Sequence, residues 1–101
     1  MATIMDTICK PFRVAGNEVT GDQIARAIDL LANADPAFEA SILTRAILPL
    51  ESYHASQEAV NRLMQRWRKL GLATFKSGRW KLTAGAWDKM QTAAGYSRNP
   101  A

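Results

Sequence analysis

Residues 56–82, SQEAVNRLMQRWRKLGLATFKSGRWKL, constrain this chain more than any other stretch, because they read in order as a helix, a glycine stop and a tight hairpin. Val60, Leu63, Met64, Trp67 and Leu70 recur at the spacing that places apolar side chains on one stripe of an α-helix. Glu58, Asn61, Arg62, Gln65 and Lys69 take the opposite face, with Arg66 and Arg68 on the flanks. Ser56 is suited to cap the helix and Gly71 to end it in the left-handed conformation. Beyond Gly71, Ala73-Thr74-Phe75-Lys76 and Arg79-Trp80-Lys81-Leu82 flank a two-residue Ser77-Gly78 turn. That turn sets the register: Lys76 opposite Arg79, Phe75 opposite Trp80, Thr74 opposite Lys81 and Ala73 opposite Leu82. Two cations facing each other beside the turn cost stability, and a bound polyanion would remove that cost.

The charge distribution follows the same stretch. Residues 1–58 hold four cations against eight acids, whereas residues 59–87 hold Arg62, Arg66, Arg68, Lys69, Lys76, Arg79 and Lys81 with no acid at all. The net charge of +4 therefore understates a strongly cationic segment whose field attracts polyanions. A solvated, solubilising face is the plain alternative for a basic helix. Continuation of the charge from helix to hairpin favours nucleic acid.

These segments resemble the winged helix-turn-helix domains over about residues 20–90. The resemblance is carried by the helix SQEAVNRLMQRWRKLGLA, the wing FKSGRWKL and the Leu82-Thr83-Ala84-Gly85 that follows, similar to the L-T-x-x-G which often opens the last helix of such domains. It implies a mainly α fold with a small β-hairpin: a three-helix core, a two-stranded wing and a C-terminal helix. The domain would span 20–94, with 1–19 an N-terminal arm packed on the core and 95–101 a flexible tail.

Taken in order, Ile4, Met5, Ile8, Phe12 and Val14 suit a short helix or a strand laid on the core, with Pro11 breaking any helix between them. Ala15-Gly16-Asn17-Glu18 is a turn signal. Thr20 and Gln23 form a capping box, with Val19 and Ile24 placed as a hydrophobic staple, so a first helix buries Ile24, Ala27, Ile28 and Leu31. Asp35-Pro36 is a start signal for a second helix burying Phe38, Ile42, Leu43, Ala46 and Ile47, which Pro49 stops or kinks. Residues 49–55 are longer than the short turn of the family. One arrangement makes Leu50 to Tyr53 a separate helical turn, with Leu50 and Tyr53 under the next helix and His54-Ala55 as the tight turn. Thr83 is placed to cap a last helix carrying Trp87 and Met90.

The inventory for chemistry is short. His54 and Cys9 are the only histidine and cysteine, in unrelated segments, which gives a metal site or a Cys-His nucleophile little support. No Gly-rich phosphate loop, Ser-centred elbow or paired-carboxylate motif is present. The chain is expected to be neither an enzyme nor a cofactor protein. A single cysteine suits a reducing compartment, and no stretch is apolar enough to span a bilayer or to act as a signal peptide, so a cytoplasmic, membrane-free protein is expected.

The functional expectation is double-stranded DNA binding, with helix 57–70 in the major groove and wing 73–82 on the backbone. Gln57, Asn61, Arg62 and Gln65 are the candidates for base edges. Ser56, Arg66 and Lys69, with Lys76, Ser77, Arg79 and Lys81 of the wing, are the candidates for phosphates, the wing having the minor groove as its other option. Glu58 either favours the helix N-terminus or accepts from a cytosine amino group. Trp67 is read as core; Trp80 either packs inward with Phe75 or stacks on a base; Trp87 belongs to the core or to a dimer surface that includes Met90 and the N-terminal apolar residues. The resemblance implies a small bacterial or phage transcriptional regulator, often a dimer on two half-sites. The alternatives are a protein-interaction module or inhibitor that meets an acidic protein or nucleoprotein through the same basic face, and RNA binding.

Overall fold

The computed structural model describes residues 4–47 and 53–98. The first helix of the core, α2 (Gly21–Leu31), begins as its sequence dictates. Thr20 accepts from the Gln23 backbone N–H at 3.2 Å while the Gln23 side chain accepts from the Thr20 N–H at 2.9 Å. Gln23 Nε2 also donates to the Ile47 carbonyl, tying the start of α2 to the end of the short helix α3 (Thr44–Ile47). Ile24, Ala25, Ala27, Ile28 and Leu31 are buried, and α2 packs along α5 (Ala86–Arg98) and across α3.

The longest helix, α4 (Tyr53–Lys69), buries Val60, Leu63, Met64 and Trp67, the stripe expected from their spacing. It ends in a Schellman motif. Gly71, at φ 78°, donates to the Arg68 carbonyl and Leu72 donates to the Trp67 carbonyl, so the chain reverses into β4 (Ala73–Lys76). Strand β5 (Arg79–Leu82) pairs with β4 in the register read from the turn, Lys76 with Arg79 through Ala73 with Leu82. Ser77 and Gly78 both take positive φ, as a two-residue hairpin requires.

The expected helix start at Asp35-Pro36 is overridden. Ala37–Phe38 form a strand, β3, antiparallel to β5 with Phe38 opposite Trp80, giving a three-stranded sheet in the order β3-β5-β4. Phe38 gains burial beside Trp80 that an exposed helical turn would not offer it, so tertiary pairing prevails over a local start signal. A 3₁₀ turn (Ala40–Leu43) then leads into α3. The sheet is thus one strand larger than the two-stranded wing expected.

Residues 4–19 contain both of the alternatives expected for this segment, a short helix and a strand. Helix α1 (Ile4–Ile8) precedes a second hairpin, β1 (Phe12–Val14) and β2 (Asn17–Val19), turned at Ala15-Gly16 with both residues at positive φ. Ile8, Cys9, Val14 and Val19 belong to the same buried cluster as α2 and α4, so this segment completes the core rather than covering it.

Three further expectations are corrected. Helix α4 (Tyr53–Lys69) contains His54-Ala55 and Ser56, so Ser56 is not its cap; the segment with Pro49 and Leu50 lies outside the described residues. Thr83 does not cap α5 with its side chain, which donates instead to the Gly71 carbonyl at 2.6 Å, while its carbonyl accepts from the Ala86 N–H. Residues 95–98, expected in a flexible tail, continue α5. Among the described residues no helix is long and apolar enough to cross a membrane.

Candidate nucleic-acid interface

The polar side of α4 divides into two flanks and an open ridge. One flank is occupied by the N-terminal segment. Arg66 Nη1 donates to the Lys10 carbonyl at 2.7 Å and the Thr7 carbonyl at 3.2 Å, and its guanidinium lies 4.9 Å from the Phe12 ring centre. These are charge-assisted bonds to carbonyls at and just beyond the end of α1, where a cation is favoured. Partial burial draws the Arg66 pKa below its ordinary value, and the neighbouring Cys9 partly offsets this. An arginine so shifted is still a cation at neutral pH. One turn earlier, Arg62 donates to the Arg13 carbonyl at 3.4 Å and lies 3.7 Å from the Glu58 carboxylate, with more than half its side chain exposed. Trp67 Nε1 reaches the Ile8 carbonyl from the buried side.

The other flank faces the 3₁₀ turn and α3. Gln57 and Asn61 line, with Ala40, Ser41, Thr44 and Val60, a cleft of about 150 Å³. Thr44 is 3% exposed and its hydroxyl has no hydrogen-bond partner among the described residues. Thr44→Val keeps the shape and removes that hydroxyl. Urea unfolding should show stability unchanged or raised by up to about 1 kcal/mol. A loss of that size would mean that the hydroxyl is bonded.

Gln57 and Asn61 of that flank are exposed; between the flanks His54, Arg68 and Lys69 are exposed and Gln65 is half-buried. Arg68 is a cation on this side that the base-edge and phosphate candidates had left out; its place on the helix flank was the signal. Arg66, Arg68 and Lys69 also occupy the last turn of α4, where positive charge offsets the helix dipole, so part of this charge serves the helix itself.

Ser56 is removed from the candidates. It is fully buried, which puts its hydroxyl out of reach of a phosphate. Met90, a candidate for dimer contact, is likewise fully buried, as are Ile8 and Val14, while Trp87 is half-buried.

On the hairpin, Lys76, Ser77, Arg79 and Lys81 are all exposed and surround an open depression of about 350 Å³ with Ala37 and Thr74. The Lys76, Arg79 and Lys81 side chains share the sheet face away from Trp80, as the alternation of β4 and β5 requires, with Ser77 at the turn beside them. Arg79 Nη1 donates to the Ala37 carbonyl at 3.4 Å, which leaves the rest of its guanidinium available. The expected wing residues are therefore gathered in one place. The expected helix residues are divided, with Gln57, Asn61, Gln65 and Lys69 open to varying degree and Arg62 and Arg66 turned toward the N-terminal segment. Lys10 and Arg13, which sequence spacing could not connect to α4, are brought beside it by those same contacts.

No protein-family model, curated protein or solved structure matches the chain.

Proposed function

We propose that the protein binds double-stranded DNA as a winged helix-turn-helix module, with α4 directed to the major groove and the β4-β5 hairpin to the backbone. The observation that carries this reading is the acid-free run of cations from Arg62 to Lys81 on a helix and the hairpin that directly follows it, with Arg68, Lys69, Lys76, Arg79 and Lys81 all exposed. The element order supports it as well: a helix, a short strand, a helical turn, a long helix and a hairpin whose second strand takes the central place in the sheet. Gln57, Asn61 and Gln65 supply amides able to read adenine edges, and Arg62 or Arg68 a guanidinium able to read guanine. Lys69, Lys76, Ser77, Arg79 and Lys81 hold phosphates. The role that follows is a small bacterial or phage transcriptional regulator acting in the cytoplasm.

Selection of bound fragments from a random duplex pool at two salt concentrations tests the reading. Recovery of a motif supports sequence-specific binding, and its symmetry reports whether two copies bind together. Absence of duplex binding even at low salt rejects it. Lys81→Ala is expected to weaken binding to every sequence and to lower the slope of log affinity against log salt by about 1, measured by fluorescence anisotropy. An unchanged slope would remove Lys81 from the phosphate contacts.

A further inference from the structure

Strand β4 is an outer strand: the sheet runs β3-β5-β4, and among the described residues no strand pairs with the far side of β4. The register fixes which backbone groups that side leaves open. Lys76 and Arg79 close the two-residue turn as a hydrogen-bonded pair, so Thr74 with Lys81 is the next such pair, and Phe75 with Trp80, between them, is not. The Phe75 N–H and C=O therefore point away from β5, to the free edge.

The two faces of that edge differ in chemistry. Phe75 and Trp80 share the face that packs on the core, with ring centres 4.8 Å apart at an interplanar angle of 52°. Trp80 is 4% exposed and out of reach of a base, whereas Phe75, at the edge, is 51% exposed. On the opposite face Lys76, Arg79 and Lys81 stand with Thr74, all of them exposed. Among the described residues none of these cations forms an ion pair, and Asp35 and Glu39 flank β3 at the far edge of the sheet. The edge thus offers main-chain hydrogen bonds in its plane, an apolar ring on one side and unneutralised positive charge on the other.

A strand laid antiparallel on β4 alternates its side chains in the same way. The residue bonded to Phe75 falls on the ring face, and its neighbours fall on the cationic face opposite Thr74 and Lys76. An apolar residue between acids satisfies both faces. A second copy of β4 does not, because it sets Lys76, Arg79 and Lys81 beside their own counterparts. Lysine on an edge strand deters neutral strands as well, so the charge selects an acidic one.

We propose that the free edge of β4 is a docking site for an extended acidic segment of a partner protein, which adds a strand to the sheet with an apolar residue on Phe75 and carboxylates toward Lys76, Arg79 and Lys81. The proposal is independent of DNA binding by α4. Where both occur, the partner and a duplex exclude one another on the hairpin cations.

The test titrates the full chain, at low salt, with a short capped peptide in which glutamate and valine alternate, and with its lysine-valine counterpart. The glutamate peptide is expected to bind, more weakly as salt is raised, and the lysine peptide not to bind. NMR should place the largest shift change and the slowed solvent exchange at the Phe75 amide, a readout that needs no variant. Phe75→Pro is expected to weaken binding about tenfold, since it removes the outward donor and the ring while the bonds of Thr74 and Lys76 to β5 remain. Cross-strand contacts between Thr74 and Lys81 report that its hairpin is intact. Lys76→Glu leaves the backbone untouched and should weaken the glutamate peptide severalfold. Failure of the glutamate peptide to bind, equal binding of the lysine peptide, shifts centred away from β4, or undiminished binding by a folded Phe75→Pro variant each overturns the proposal and leaves the DNA-binding reading as it stands.

Discussion

Trp67→Ala is expected to destabilise the protein by about 3–5 kcal/mol in urea or thermal unfolding, a large share of the roughly 5–15 kcal/mol that holds a domain of this size together. Trp67 has no exposed surface and sits at the centre of the α4 stripe within the buried core, so truncation opens a cavity there. It also leaves the Ile8 carbonyl without the indole N–H that meets it at 3.2 Å. Trp67→Phe separates the two effects, since it keeps most of the packing and loses the hydrogen bond; a smaller loss, about 1–3 kcal/mol, is expected. If Trp67→Ala costs under about 1 kcal/mol, Trp67 is not the joint between α1 and α4.

The second large effect belongs to Arg66. Arg66→Ala removes two charge-assisted bonds to the end of α1 and the stacking of the guanidinium on Phe12, and about 2–4 kcal/mol of stability is expected to go with them after allowance for solvent screening at this half-buried site. The loss should be local in character. Backbone amides of residues 4–19 should exchange with solvent faster than those of α2. The guanidinium is already bonded within the fold, so duplex affinity of the folded variant should change less than in Lys81→Ala. The opposite result, unchanged stability with a reduced salt slope, would return Arg66 to the phosphate contacts expected from its position in the helix.

Those two side chains mark where reading the chain in one dimension succeeded and where it did not. Trp67 was placed in the core by helical periodicity alone, and the β4-β5 register followed from two turn residues, because both depend on neighbours within a few positions. The Thr20-Gln23 capping box and the Gly71 stop were legible for the same reason. Phe38 was not, because its strand partner Trp80 lies far along the chain, and nothing around Asp35-Pro36 distinguishes a helix start from a turn into an edge strand. The site divides in the same way. The gathering of Lys76, Arg79 and Lys81 follows from strand alternation, whereas the diversion of Arg62 and Arg66 depends on carbonyls contributed by residues 7–13. An arginine on a polar helix face reads identically whether it meets solvent, a phosphate or another part of its own chain.

The Ile8 to Trp67 contact, 59 positions apart, also bears on how the chain is made. At about 5–20 residues per second, the ribosome adds Trp67 roughly 3–12 s after Ile8. A five-residue helix is too short to persist alone in that interval. The apolar side chains of Ile4, Ile8 and Val14 therefore wait in the nascent polypeptide until α4 emerges to receive them. Chaperones that bind emerging chains have their opportunity at this end, and slowing translation between codons 20 and 66 should lengthen the period in which it is open to them.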